Sequence, residues 1–142
     1  MEDLSRCAKL ARLDVQSNQI ADISMLAGLV SLKVFDVCNN QITSIPDFDE
    51  TTSQLQQFSI NYNQVEDISG LKGLQQLNYL HADYNKITDL LPLQENFGLV
   101  QVNVWDNAVT PESVTALQEC SIIVNYNPNY VPPEEPADGE TT

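Results

Sequence analysis

Apolar residues return along this chain in a nine-place rhythm that reads L-x-x-L-x-L-x-x-N. It occurs as Leu10-Ala-Arg-Leu-Asp-Val-Gln-Ser-Asn18, Leu32-Lys-Val-Phe-Asp-Val-Cys-Asn-Asn40 and Leu55-Gln-Gln-Phe-Ser-Ile-Asn-Tyr-Asn63. It occurs again as Leu77-Asn-Tyr-Leu-His-Ala-Asp-Tyr-Asn85 and Leu99-Val-Gln-Val-Asn-Val-Trp-Asp-Asn107. The closing asparagines are spaced by 22, 23, 22 and 22 residues, and a truncated copy, Ile122-Ile-Val124-Asn-Tyr-Asn127, follows after 20. Places one, four and six alternate as a short strand requires, with four and six facing inward. Self-similarity at this period is the mark of a stacked repeat architecture, in which no unit buries its apolar side alone.

The back half of each unit continues the apolar columns. Ile20, Ile42, Val65, Ile87 and Val109 form one; Ile23, Ile45, Ile68 and Leu90 a second; Leu26, Phe48, Leu71 and Leu93 a third. Asp22, Ser44, Asp67 and Asp89 precede the second column and are expected to cap a short helical or 3₁₀ turn. The asparagine at place nine ends the strand. Its amide both donates and accepts, so Asn18, Asn40, Asn63, Asn85, Asn107 and Asn127 are expected to form a ladder that satisfies buried main-chain groups.

These motifs resemble the leucine-rich repeat family across residues 4–127. The N-x-I-x-D-I continuation, as in Asn18-Gln-Ile20-Ala-Asp22-Ile23 and Asn63-Gln-Val65-Glu-Asp67-Ile68, is similar to the short bacterial internalin type. It is similar also to the intracellular phosphatase-regulator type, which shares the unit length. The resemblance implies an α/β solenoid: a curved right-handed superhelix with a parallel β-sheet on its concave side and short 3₁₀ or irregular turns outside. It implies protein binding, because this family mostly binds other proteins, but it names no ligand.

Departures from the rhythm divide the chain. Residues 1–127 are read as the solenoid: a partial unit at 1–9, five units from residue 10, and a closing unit at 122–127. Residues 1–9 are the back half of a repeat, with Leu4 and Cys7 in the columns of Leu26 and Leu29; they are either an amphipathic cap or the start of a fragment. Unit two carries one extra residue and loses its columns around Asp47-Phe48-Asp49-Glu50-Thr51-Thr52, which predicts an acidic bulge on the outer side. In unit five, Thr110-Pro111-Glu112-Ser113 reads as an N-cap followed by proline at the first helical place, and Val114, Leu117 and Cys120 follow at helical spacing. A helix over 111–119 is expected. Residues 128–142 lose the repeat, and their four prolines and four acids predict an extended linker or frayed tail.

Composition narrows the function classes. Six Lys+Arg against twenty Asp+Glu give a formal charge of −14. Such a surface repels phosphate backbones and acidic lipid headgroups, which argues against nucleic-acid or membrane binding. No apolar run approaches the roughly 20 residues needed to span a bilayer. Three scattered cysteines form no disulfide framework, and a single His81 excludes any site needing two imidazoles. Cys7 and Cys120 replace core leucines and are expected to pack inertly. No cofactor and no metal are implied.

In a parallel ladder the outward places form columns along the sheet. Place five gives Asp14, Asp36, Ser59, His81 and Asn103; place eight gives Ser17, Asn39, Tyr62, Tyr84 and Asp106. Tyr62, Tyr79, Tyr84 and Trp105, with His81, fall in units three to five, where Asp83 and Asp106 flank them. Aromatics bury much area with few rotors and dominate binding hot spots, although aromatics on a sheet also stack across strands for stability alone. Ser59, His81 and Asn103 share a row near Asp83, but an open row without oxyanion donors or a strained nucleophile turn argues against catalysis. Asp14 and Asp36 lack the further oxygens a calcium site needs. Cys38 faces outward without a cationic neighbour.

The expectation is a non-enzymatic recognition module whose partner contacts are Tyr62, Tyr79, His81, Asp83, Tyr84, Trp105 and Asp106. The partner is a protein with a basic or mixed surface, and the ring platform also suits a glycan. Two alternatives remain open: an intracellular scaffold or regulatory subunit, and a structural spacer in a longer surface array. A bacterial surface or secreted location goes with the fragment reading, and a cytoplasmic one with an intact start at Met1.

Overall fold

A computed structural model describes residue 4 and residues 6–49 and 53–135. Each repeat makes one coil and contributes one three-residue strand. The strands are β1 (Arg12–Asp14), β2 (Val34–Asp36), β3 (Gln57–Ser59), β4 (Tyr79–His81), β5 (Gln101–Asn103) and β6 (Ile123–Asn125). They form one open, all-parallel sheet in sequence order. The register is that of the motif, so Leu13, Phe35, Phe58, Leu80, Val102 and Val124 lie side by side along the inner row. The strands are short because place nine must turn the chain toward the back of the coil.

Stacking buries the columns. Phe35, Phe58, Leu80 and Val102 have no exposed surface, nor do Val37, Ile60, Ala82 and Val104 two residues on. Fully burying a side chain of this size contributes about 1.5–3 kcal/mol, which each coil gains only through its neighbours. The Phe35 and Phe58 rings stack at 5.2 Å, and Phe48 meets Phe58 edge-on at 6.3 Å. Phe48 therefore keeps its column despite the extra residue in unit two, where the sequence suggested that the columns were lost. The tip of the expected acidic bulge, residues 50–52, lies outside the described residues, as do 1–3, 5 and 136–142.

The backs of the coils are 3₁₀ turns at Ser24–Gly28, Ser69–Leu71 and Leu91–Glu95. Asp22, Asp67 and Asp89 each accept a 2.8 Å bond from the backbone N–H two residues ahead, at Ser24, Ser69 and Leu91. These are Asx turns set one residue before the helical N-cap. The bonds hold the Asp22 and Asp67 carboxyls below their ordinary range. Ser44 has no such role, because the equivalent acceptor's target is Pro46, which has no N–H. Ser44 instead bridges to Asp67 of the next coil. Gly70 is required here, since a Cβ would lie 2.3 Å from the Pro46 carbonyl oxygen.

The α-helix α1 (Pro111–Glu119) replaces the 3₁₀ turn in unit five, with Thr110 Oγ1 accepting from Ser113 N. Val114 and Leu117 are buried beneath it. Cys120, at its C-cap, is exposed, and so is Cys7. Both corrections have one cause: each cysteine sits in a terminal half-coil, where the described residues provide a stacking neighbour on one side only. No helix of the described residues is long and apolar enough to cross a membrane.

Candidate functional site

Between the sheet and the back of the coils runs a row of asparagine amides. Asn63 Oδ1 accepts from Ile42 N of the previous coil at 2.9 Å, and its Nδ2 donates to Val37 O and Ile60 O. Asn40, Asn85 and Asn107 repeat this, accepting from Ile20 N, Val65 N and Ile87 N. Asn18, in the first coil, is exposed and bonds only its own coil, at Val15 O and Gln16 O. Asn127 differs. Its Nδ2 donates to Asp106 Oδ1 at 3.0 Å and its Oδ1 accepts from Asn129 N, so it anchors a turn and makes no rung to the previous coil's main chain.

Just before each asparagine the chain leaves the strand through the left-handed region. Ser17, Asn39, Tyr62, Tyr84 and Asp106 have φ of 57°, 55°, 57°, 57° and 50°. Asparagine and aspartate tolerate this region, whereas a bulky residue there is strained by about 1–2 kcal/mol. Tyr62 and Tyr84 accept that strain while remaining 51% and 40% exposed. Their rings stack at 4.4 Å with an 8° interplanar angle. The neighbouring Tyr62 hydroxyl raises the Tyr84 pKa above its ordinary value. Tyr79 on β4 and Trp105 beyond β5 add two more rings, 42% and 45% exposed.

Asp83 has a structural duty that sequence reasoning missed. Its Oδ1 accepts from Trp105 N at 2.7 Å, and its own N–H donates to Asn61 Oδ1 at 2.8 Å. Place seven is thus a second side-chain ladder, Asn61 to Asp83 to Trp105, and it fixes the backbone that carries the indole. A third polar rung lies on the back. Buried Asn96 accepts from Gly73 N and donates to Leu71 O, both at 2.8 Å. The signal was an asparagine in the column that Leu29 and Leu74 share.

His81 joins the polar row of the sheet. Asn103 Oδ1 accepts from both Gln101 Nε2 and Asn125 Nδ2, so the Asn103 amide nitrogen donates to His81 Nδ1 at 2.9 Å. That leaves the imidazole proton on Nε2. Among the described residues no hydrogen bond links Ser59 to His81, so the row brings no nucleophile to a base. Asp14 is occupied by Gln16 N and Asp36 by Cys38 N. Among the described residues no three His, Cys, Asp or Glu side chains converge as metal ligands do. Cys38 is half-buried, and burial first, then Asp36, pushes its thiol up to about 12.

The described part of the tail, residues 128–135, does not project from the last coil. The Asn127 turn, closed by Tyr130 N donating to Asn127 O at 3.2 Å, sends residues 130–135 back beside units three to five. A cleft of about 830 Å³ lies between them and the coils, with Tyr84, Asp106 and Ala108 on one wall and Tyr130, Pro132 and Pro133 on the other. No feature of the sequence pattern places the tail there.

A family model of leucine-rich repeats (two copies) matches residues 8–50 and 53–95. No curated protein matches the chain. Among solved structures, internalin C2 of Listeria monocytogenes is 36% identical and superposes with a TM-score of 0.79 over 87% of this chain and 54% of that one. The internalin InlF of the same species is 24% identical, with a TM-score of 0.61 over 87% of this chain and 45% of that one. A leucine-rich repeat protein of Leptospira interrogans is 19% identical, with a TM-score of 0.59 over 86% and 38%. The last two likenesses concern the fold alone, and the chain spans about half or less of each of these three structures. Leucine-rich repeat domains generally act as protein–protein interaction scaffolds without catalysis. With the motif register visible in the sheet and the family model covering four of its coils, this chain belongs to the leucine-rich repeat family, in its internalin-like form.

Proposed function

We propose that the chain is a non-enzymatic recognition module whose sheet face, in units three to five, binds a protein ligand with a basic or mixed surface. Tyr62, Tyr79, His81, Tyr84 and Trp105 make the central contacts. One oxygen of Asp83 holds Trp105 N and one of Asp106 holds Asn127 Nδ2, which leaves the second oxygen of each carboxylate to meet a cation. The observation that carries this reading is the stacked Tyr62–Tyr84 pair, exposed and at positive φ. Two bulky side chains held in a strained backbone region with little burial are explained by use, because strain of this kind gathers at ligand contacts.

Binding follows from preorganisation. The ladders fix the rings before contact, so little ordering entropy remains to be lost on association. The test begins with a protein ligand selected from a displayed library on the immobilised chain. Tyr79→Ala and Trp105→Ala should each weaken that ligand at least tenfold while the melting temperature stays within a few degrees. Undiminished binding by both variants would place the ligand elsewhere.

A further inference from the structure

The cleft beneath the tail differs from the sheet face in shape and chemistry. It is a pocket of about 830 Å³, within the range of roughly 300–1,000 Å³ that encloses small ligands or single side chains. Its walls are largely apolar: the Tyr84 ring, Ala108, half-buried Tyr130, and the pair Pro132 and Pro133. Around these walls stand four carboxylates, Glu66, Asp106, Glu134 and Glu135, against one cation, Lys86. The single salt bridge among the described residues, Lys72 to Glu95 at 3.5 Å, is not in the cleft. Among the described residues none of those carboxylates forms an ion pair, and the whole protein carries a formal charge of −14.

Aromatic walls rimmed with an excess of carboxylates are complementary to a planar cation. A guanidinium stacks on tyrosine faces, is weakly hydrated, and takes carboxylates in a bidentate fork. An ammonium meets the charge but not the shape. Tyr84 belongs to both places: one face of the ring pair borders the sheet, and its side chain lines the cleft. A segment lying across the sheet face can therefore carry one side chain over Tyr84 and into the pocket.

We propose that the cleft between Tyr84 and the Tyr130–Glu135 tail is a specificity pocket for an arginine side chain of the protein ligand. The proposal rests on the recognition role above and adds to it one defined subsite, with the tail as a working wall. The tail then selects the ligand, and a chain that stops at Asn127 loses that selection while keeping the sheet face.

The probe is a five-residue peptide with one central arginine, capped at both ends, titrated into the ¹⁵N-labelled full chain. A second peptide carries citrulline, which has the same shape without the charge. Saturable amide shifts at Tyr84, Ala108 and Tyr130 are expected with arginine, with at least tenfold weaker binding of citrulline. Tyr130→Ala, and Glu134→Gln with Glu135→Gln, should each weaken the arginine peptide at least threefold with the remaining spectrum unchanged. Equal binding of the two peptides, or shifts confined to other acidic surfaces, would overturn the proposal. So would concentration-dependent dimerisation abolished by these variants, which would put Arg6 or Arg12 of a second copy in the pocket. The two readings fail separately. Peptide binding without any effect of Tyr79→Ala and Trp105→Ala on the selected ligand sinks the sheet face, whereas the reverse pattern sinks the pocket alone.

Discussion

Replacing Tyr62 and Tyr84 together by asparagine separates what these residues do for the fold from what they do for recognition. Both sit at φ 57°. Each tyrosine there costs about 1–2 kcal/mol relative to an unstrained residue, and asparagine recovers much of it because its short side chain tolerates the region. Against this stands the lost ring pair, stacked at 4.4 Å and worth about 0.5–1.5 kcal/mol. The backbone bonds are untouched: Tyr62 N to Asp83 O at 2.9 Å and Tyr84 N to Trp105 O at 2.8 Å involve no side chain. The two effects oppose each other, so net stability should change by less than about 2 kcal/mol, or a melting shift of no more than about 8 °C for a chain of this size. Recognition should respond quite differently. Truncating an aromatic hot spot costs about 2 kcal/mol or more, roughly 30-fold in affinity per anchor. Thermal denaturation by circular dichroism gives the first quantity, and surface plasmon resonance with a ligand selected on the wild type gives the second. A double variant that loses more than about 3 kcal/mol of stability, or that binds as tightly as the wild type, would refute the reasoning.

Further outcomes follow from the same geometry. Asn63→Ala leaves the Ile42 N–H without its acceptor, while Val37 O and Ile60 O keep the Asn40 and Asn85 amides; urea unfolding should show a loss of about 1–3 kcal/mol, the cost of one unsatisfied buried group. Asn18→Ala, at an exposed residue bonded only within its own coil, should lose under about 1 kcal/mol in the same assay. A disulfide exchange reagent at pH 8 should modify exposed Cys7 and Cys120 promptly and half-buried Cys38, whose thiol is pushed up to about 12, far more slowly. Asp67→Ala should lower stability at neutral pH, and its deficit should shrink as the pH falls. The folded carboxyl titrates below its ordinary value of 3.8, so its contribution is complete above that value and is lost as pH drops through the lower folded one. Melting curves of both proteins between pH 7 and pH 2 check this.

The inner rows and the strand register were legible because burial on a strand has period two and the repeat period is nearly constant. Phe35, Phe58, Leu80 and Val102 could be placed side by side from spacing alone. The helix over 111–119 was legible for another local reason, the Thr110-Pro111 start signal. What escaped depends on partners that no single unit contains. Asp83 reads as a free surface charge until the next coil's Trp105 N–H arrives at its oxygen. Ser44 is the exception: Pro46, in its own unit, withholds the donor that Asp22 and Asp67 find, and the sequence alone carried that signal. Cys120 occupies a leucine place, but it sits at the C-cap of the last helix, in a half-coil with a described stacking neighbour on one side only. The tail was least legible, because Tyr130, Pro132 and Pro133 follow no period and their position is set by the turn at Asn127.

The central claim is that side-chain amides of one coil hold the main chain of the coil before it, and so keep the rings above in register. Amide hydrogen exchange at residues 42, 65 and 87 tests it most directly. Ile42, Val65 and Ile87 lie outside every strand and helix, and their N–H groups are bonded to Asn63, Asn85 and Asn107 side chains at 2.9, 3.0 and 2.9 Å. They should exchange as slowly as the sheet amides of Ile60 and Ala82, which are bonded to backbone oxygens of the next coil. Exchange at the rate of an open loop at all three positions would contradict the account.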